Sequence, residues 1–139
     1  MRIALGQVAV GDELPAQTFD IDRAMLIRYA GASGDFNVIH WNARVAQSVG
    51  LPDVIAHGML TMALAARVVT DWAGDPGAMV EYQARFTRPV VVPDPGSTRL
   101  TVTAKVAAVE ADGRVSVDIT ATVDGQTVLA KTRAVLRLS

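Results

Sequence analysis

One long apolar segment, residues 58 to 73, constrains the fold more than any other part of the chain. Its first nine residues, from Gly58 to Ala66, are almost entirely apolar, and a helix of this kind is normally buried on most of its sides. After the turn Gly74-Asp75-Pro76-Gly77 the apolar period changes from helical to two, which indicates half-buried β-strands. The sequence therefore predicts a central helix followed by a sheet.

Alternating apolar and polar residues predict four strands after this helix. The predicted strands cover residues 80–86, 100–108, 115–123 and about 127–138. Asp112-Gly113 and Asp124-Gly125 lie between strand patterns and favour primed hairpin turns, while residues 89 to 96 are rich in proline and predict a loop or bent edge. We expect an α+β fold in which an antiparallel sheet curves around one central helix. Such a sheet leaves an open edge, so we also expect a dimer.

The part of the chain before the central helix predicts a helical insertion, roughly residues 20 to 50. Residues 8 to 19 precede it as a short, loop-rich segment with a possible edge strand at 17–19. The two helices of the insertion have candidate cap and stop residues, namely Asp20 or Asp22 for the first, and Asn42 and Gly50 for the second.

Length and composition narrow the class of protein. A chain of 139 residues fits one domain, residues 1–139, and shows no linker or repeat. No run approaches the roughly 20 apolar residues of a membrane span, and residues 1 to 7 are too short for a signal peptide, so we expect a cytoplasmic protein. The absence of cysteine excludes disulfides and thiolate metal sites, and a net charge of −1 with scattered arginines gives no nucleic-acid footprint.

A glycine-punctuated loop after the first predicted helix carries the candidate catalytic groups. Asp35 and His40 place a carboxylate and a neutral base within six residues, with Asn37 between them. Each also has an ordinary explanation, because Asp35 can form a turn, Asn37 an Asx turn, and His40 can be a semi-buried structural histidine. Only His57 could join His40 as an imidazole ligand, which makes a metal site improbable.

A second candidate site lies at the start of the central helix, in Ala56-His57-Gly58-Met59. Unpaired backbone N–H groups at a helix N-terminus can hold a carbonyl oxygen while negative charge develops on it, and Gly58 has no side chain to obstruct the approach. Taken alone, the glycine is better explained by close packing or a sharp entry turn than by a catalytic role.

Taken together, the two segments resemble a known motif. Gly34-Asp35-Phe36-Asn37-Val38-Ile39-His40 followed by Ile55-Ala56-His57-Gly58-Met59 is similar to the hydratase motif of the MaoC-like, (R)-specific enoyl-thioester hydratases and dehydratases, which have the hot-dog fold. The resemblance extends over essentially the whole chain. Within the family the resemblance is strongest to HadB-type (3R)-hydroxyacyl-ACP dehydratase subunits. The segments Tyr29-Ala30-Gly31 and His40-Trp41 also fit that branch.

The resemblance implies roles for these residues. Asp35 and His40 would form a dyad that handles the water and the substrate α-proton, and the N–H of Gly58 would polarise the thioester carbonyl. Asn37 and His57 would bind substrate or position the loop. The family usually has proline where this chain has Val38, which removes backbone preorganisation but no catalytic atom.

The implied reaction is the reversible conversion of a (3R)-3-hydroxyacyl-CoA or -ACP into a trans-2-enoyl thioester and water, in fatty-acid or related metabolism, without a cofactor. The alternatives are a hot-dog thioesterase and a non-catalytic subunit of a heterodimeric dehydratase. The partner implied is a second copy or a related hot-dog subunit. Several arginines could meet pantetheine phosphates or an acidic carrier protein, but solvated strand faces explain them equally well, so they predict no binding site: Arg85, Arg88, Arg133 and Arg137.

Overall fold

One five-stranded antiparallel sheet wraps around a single long helix in the computed structural model, which describes residues 1–139. The helices are α1 (Arg23–Ser33), α2 (Ala43–Ser48) and α3 (Gly58–Ala73). The strands are β1 (Glu13–Asp22), β2 (Met79–Phe86), β3 (Ser97–Val109), β4 (Arg114–Val123) and β5 (Gln126–Arg137). None of the helices is both long enough and apolar enough to span a membrane.

The strand order is β1-β3-β4-β5-β2, so the last three strands form the predicted meander and β2 lies outside β5. The β4–β5 turn has φ values of 50° at Asp124 and 74° at Gly125, which a primed turn requires. The strands β1 and β2 are the two edges of the sheet, and each pairs on one side only. The structure therefore has the open edges that the sequence predicts.

The core lies between α3 and the concave face of the sheet. Leu64, Val68 and Val69 of α3 are buried against alternate residues of the meander, such as Leu100 and Val117. Burial of each such side chain contributes about 1.5–3 kcal/mol relative to its exposed state. The period-two pattern of β3 and β4 thus faces the central helix, as the sequence predicts.

The expectation that α3 is buried on most sides is confirmed, except for one exposed stripe along the helix. Met59 is 57% exposed, and Ala63 and Arg67 on the same stripe are also exposed, because the sheet does not reach this side of the helix. Val80 and Phe86 of β2 are likewise exposed, since β2 lies at the edge of the sheet. A protomer thus leaves apolar surface uncovered beside one edge strand.

The first strand is longer than the predicted segment 17–19. It runs through Pro15, and the pairing with β3 is irregular between Leu14 and Gln17, where proline has no N–H to donate. At its end, Asp22 caps α1 through a 2.7 Å bond from the N–H of Met25 to its Oδ1. Of the two predicted caps, Asp22 is therefore the one in use.

Candidate active site

The loop that follows α1 is shaped by a chain of local hydrogen bonds. The helix ends at Gly34, whose φ of 76° is left-handed. Beyond it, the N–H of Asp35 donates to Ser33 Oγ (3.2 Å), that of Asn37 to Asp35 Oδ1 (3.1 Å), and that of Ile39 to Asn37 Oδ1 (3.3 Å). These Asx-type bonds fix one oxygen of the Asp35 carboxylate and leave Oδ2 free. Asn37 thus lies where a loop-positioning residue is expected.

Valine at position 38 does not disturb this loop. The preceding Asn37 has φ −54° and ψ 127°, the extended conformation that a following proline would favour. The indole N–H of Trp41 donates to the carbonyl of Phe36 at 3.0 Å and holds the loop from the other side. Hydrogen bonds therefore maintain the backbone conformation that a proline ring would otherwise impose.

His40 is buried and has a defined tautomer. Its Nδ1 lies 2.7 Å from the carbonyl oxygen of Ile55, which can only accept, so Nδ1 carries the proton in the neutral ring. The unprotonated Nε2 lies 3.8 Å from Oδ2 of Asp35, whose side chain is 50% exposed. This separation is longer than a hydrogen bond, a common state for catalytic groups without substrate. The structure therefore brings Asp35 and His40 together with the nitrogen lone pair available.

His57 lies beneath this pair rather than beside the substrate space. Its ring stacks on His40 at 3.8 Å between centroids, Tyr29 contacts it edge-on, and its Nε2 donates to the backbone carbonyl of Asp35 at 3.1 Å. Only 1% of His57 is exposed. Burial lowers the pKa of His57, the bond to the Asp35 carbonyl opposes this, and the nearby His40 lowers the pKa further. A neutral His57 thus supports both candidate catalytic residues.

The N-terminus of α3 provides the predicted free N–H. The carbonyl of His57 accepts the N–H groups of Leu60 (3.0 Å) and Thr61 (3.2 Å), whereas the N–H of Gly58 has no acceptor within the protein. A Cβ at position 58 would lie 3.2 Å from the ring of Phe86. A larger residue would therefore force the Phe86 ring to shift by a few tenths of an ångström, so glycine favours close packing here in addition to any role in holding an oxygen atom.

His40 and Gly58 meet at a cavity of about 350 Å³. It is lined by His40, Ile55, Ala56, Gly58, Thr61, Phe86, Thr87, Arg88, Pro89, Val90, Val128 and Leu129. The hydroxyl of Thr61, a residue only 2% exposed, has no hydrogen-bond partner. A larger concavity of about 940 Å³ over β1, β3 and β4 contains no histidine. The smaller cavity is therefore the candidate active site.

Two cavity residues were missed by the sequence reasoning. Thr61 lies three residues after Gly58, on the same helix face, and this spacing was the available signal. Phe86 belongs to the apolar set of the β2 alternation, but nothing local indicates that it packs on Gly58. In contrast, Asp35, Asn37 and His57 do not line the cavity. Asp35 lies beside it through its 3.8 Å approach to His40, and Asn37 and His57 are in places that favour positioning over substrate binding.

Three potential metal ligands lie close together at this site. The ligand atoms of Asp35, His40 and His57 lie within 4.8 Å of one another. However, the two imidazoles are stacked with 22° between their planes, so their in-plane lone pairs lie in separate, nearly parallel planes and do not converge on one point. The arrangement suits acid–base chemistry better than metal coordination.

Comparison with known proteins identifies the class to which this fold and site belong. A family model described as MaoC like domain matches residues 7–124, and the chain belongs to this family. It is 42% identical over 79 residues to 3-hydroxyacyl-thioester dehydratase X of Mycobacterium tuberculosis, a match that covers 57% of this chain and 27% of the relative. The matched segment thus spans only about a quarter of the length of that relative.

Solved structures support the same assignment. R-hydratase PhaJ1 from Pseudomonas aeruginosa, unliganded, has a TM-score of 0.85 and 26% identity, over 99% of this chain and 87% of the other. The ChsH1-ChsH2 complex from Mycobacterium tuberculosis has a TM-score of 0.82 and 26% identity, over 94% and 98% of the two chains. The predicted family and its hot-dog architecture are confirmed.

Proposed function

We propose that this chain catalyses the reversible addition of water to a trans-2-enoyl thioester, giving a (3R)-3-hydroxyacyl thioester. The observation that carries the proposal is one cavity lined by both His40, with its Nε2 lone pair free, and Gly58, with its N–H unpaired. The dehydratase and R-hydratase relatives support this reaction class.

In the hydration direction, His40 is the proposed base. Because Nδ1 donates to Ile55, Nε2 can accept a proton from water as the water oxygen bonds to C3 of the substrate. The electrons of the double bond move toward the thioester oxygen, and the proton is returned from the dyad to C2. Asp35 Oδ2, 3.8 Å from Nε2, stabilises the charged imidazolium that forms in between. No proton is gained or lost over the cycle.

Gly58 is the proposed oxyanion donor. Negative charge develops on the thioester oxygen in the enolate-like transition state, and a preorganised N–H at a helix N-terminus stabilises that charge more than it stabilises the neutral carbonyl. The glycine also permits the contact with Phe86 that closes this side of the cavity. The dyad and the donor together supply the groups that the reaction requires.

The test is hydration of a short trans-2-enoyl-CoA, followed as loss of the conjugated enoyl absorbance. We expect Asp35→Asn and His40→Ala each to lower kcat/KM by about a hundredfold or more. Asp124→Asn, in the β4–β5 turn, is the matched control and should retain activity. Wild-type rates in both dyad variants would contradict the assigned roles.

A thioesterase with the same helix N-terminus is the enzymatic alternative. It is distinguished in the same reaction by assaying free thiol, since hydration forms 3-hydroxyacyl-CoA without releasing coenzyme A. Thiol release at the rate of enoyl loss would favour hydrolysis.

We further propose that the protein functions with a second chain paired along β2, either another copy or a related hot-dog subunit. The exposed Met59, Val80 and Phe86 lie at or beside this edge. The similar ChsH1-ChsH2 structure is a complex, which supports assembly with a second chain. Light scattering of the purified chain, with activity measured alone and with a related subunit, tests this and the non-catalytic alternative. Carrier type, chain length and a cytoplasmic location stay predictions.

A further inference from the structure

Arg88 is an unpaired cation on the rim of the candidate active site. It lies two residues beyond the end of β2 and lines the cavity together with His40 and Gly58. The guanidinium forms no ion pair and no side-chain hydrogen bond within the protein. In contrast, Arg114 and Arg133 are bound to carboxylates across the sheet.

The cavity offers Arg88 no negative partner. No Asp or Glu lines it, and apart from His40 and two threonines the remaining residues are apolar or glycine. The charge of Arg88 is therefore not neutralised by the walls, although the protein pairs most of its other arginines. A cavity with one free guanidinium is complementary to an anionic ligand, and the planar fork of arginine suits phosphate in particular.

Burial distinguishes the floor of the cavity from its rim. His40, Ala56 and Val90 are buried and form the floor, whereas residues 86 to 89 are all exposed and form the rim. A thioester held at Gly58 must leave the cavity past this rim, because its carrier is too large to be enclosed in about 350 Å³. Arg88 therefore lies where the carrier attached to the acyl group leaves the cavity.

Both proposed carriers, coenzyme A and acyl carrier protein, present the acyl group on a phosphopantetheine arm that ends in a phosphate. We propose that Arg88 binds the phosphate of this arm and so determines the affinity for carrier-linked substrates. The inference rests on the proposed function, from which it takes the thioester substrate. Arg88 is accordingly a binding residue with no part in the proton transfers.

The experiment compares thioesters with and without phosphate. The same enoyl group is supplied on coenzyme A and on N-acetylcysteamine, which keeps the thioester and lacks every phosphate. We expect Arg88→Ala to raise the KM for the coenzyme A thioester about tenfold more than the KM for the N-acetylcysteamine thioester, with little effect on kcat. Arg88→Lys should recover part of the loss, since it keeps the charge without the fork.

Arg28→Ala is the matched control. Arg28 is also exposed and forms no ion pair, but it lies within α1 and does not line the cavity, so its removal should leave the ratio of the two KM values unchanged. Equal effects of Arg88→Ala on both substrates would overturn the inference, as would the same shift in Arg28→Ala.

A third substrate locates the phosphate. The enoyl thioester of phosphopantetheine keeps the phosphate of the arm but lacks the nucleotide part of coenzyme A. If Arg88→Ala raises the KM for this compound as much as the KM for the coenzyme A thioester, Arg88 binds the phosphate of the arm. A rise in KM seen only with coenzyme A overturns the inference. If the wild-type protein hydrates none of the thioesters, the proposed function fails, and calorimetric binding of coenzyme A to the wild type and Arg88→Ala still tests Arg88.

Discussion

The exposed face of the sheet and the cavity end of α3 differ in whether their polar groups have partners within the protein. On the sheet, Arg133 binds Asp118 at 2.7 Å, and Arg99 binds both oxygens of Asp20, through Nε at 2.8 Å and through a terminal nitrogen at 3.1 Å. These exposed charges have partners within the protein, although such pairs contribute only about 0–1 kcal/mol each.

At the cavity end, buried polar groups lack partners. The buried side-chain atoms without a hydrogen bond are His57 Nδ1 and Thr61 Oγ1, and both belong to this region, as does the unpaired N–H of Gly58. Each costs about 1–3 kcal/mol if it stays unsatisfied. Unpaired polar groups are therefore found in and beneath the candidate active site, whereas these charges of the sheet face are paired within the protein.

Among the variants that test this contrast, we expect the largest effect from a substitution at Gly58, at the cavity end of α3. Gly58→Ala places a Cβ 3.2 Å from the Phe86 ring, so the ring or the helix start must shift by a few tenths of an ångström or more. We expect hydratase kcat/KM to fall about tenfold, because small displacements of an oxyanion donor are costly. Gly31→Ala, at a position with no neighbouring atom within 4 Å of the added Cβ, is the matched control. Equal rates in both variants would remove the steric argument.

The next effect concerns the pH dependence of stability. Burial lowers the pKa of His57 in the folded protein below its unfolded value, so around pH 6 the unfolded chain binds more protons than the folded one. The free energy of unfolding should therefore fall as the pH decreases through the unfolded pKa, by at most about 1.4 kcal/mol per pH unit from this group. Urea unfolding at pH 7.5 and 5.5 should show a smaller pH difference in His57→Gln than in the wild type. The same difference in both proteins would contradict the prediction.

A smaller effect is expected at Thr61, where a substitution should raise the stability of the protein. Thr61→Val keeps the shape of the side chain and removes the buried hydroxyl that has no partner, so it should stabilise the protein by about 1 kcal/mol. Thr132→Val is the control, because the buried Thr132 hydroxyl donates to the carbonyl of Ala130 at 3.4 Å. Destabilisation by Thr61→Val, measured by thermal or urea unfolding, would mean that its hydroxyl is satisfied in solution.

The smallest effect is expected on the sheet face. Asp118→Asn removes the charge that pairs with Arg133, and because both side chains are about half exposed we expect a change in unfolding free energy within about 0.5 kcal/mol. A loss above about 1 kcal/mol would show that the surface pairs contribute more than their exposure implies.

Local signals predicted most of the fold. The span of α3, the Asp22 cap and the primed turn at Asp124-Gly125 all depend on residues near one another in the sequence, where periodicity and turn chemistry act directly. The pairing of Asp35 with His40 was predictable for the same reason, since one short loop carries both residues.

Long-range packing was not predictable. The bond from His57 to the carbonyl of Asp35 joins positions 22 residues apart, and Phe86 reaches Gly58 only through the pairing of β2 with β5. The exposure of Met59 has a similar origin, because an apolar helix carries no sign of how much of its surface one sheet can cover. These features depend on how the elements are arranged in space.

Under the proposed pairing, the edge strand β2 links the activity of the protein to its own concentration. Its outer backbone groups are unpaired, and its last residue, Phe86, is also part of the cavity rim. A chain that binds along this edge therefore shapes the cavity as it associates, and mass action then links assembly to turnover. Specific activity would fall when the protein is diluted below the dissociation constant of that pairing, and it would return on concentration.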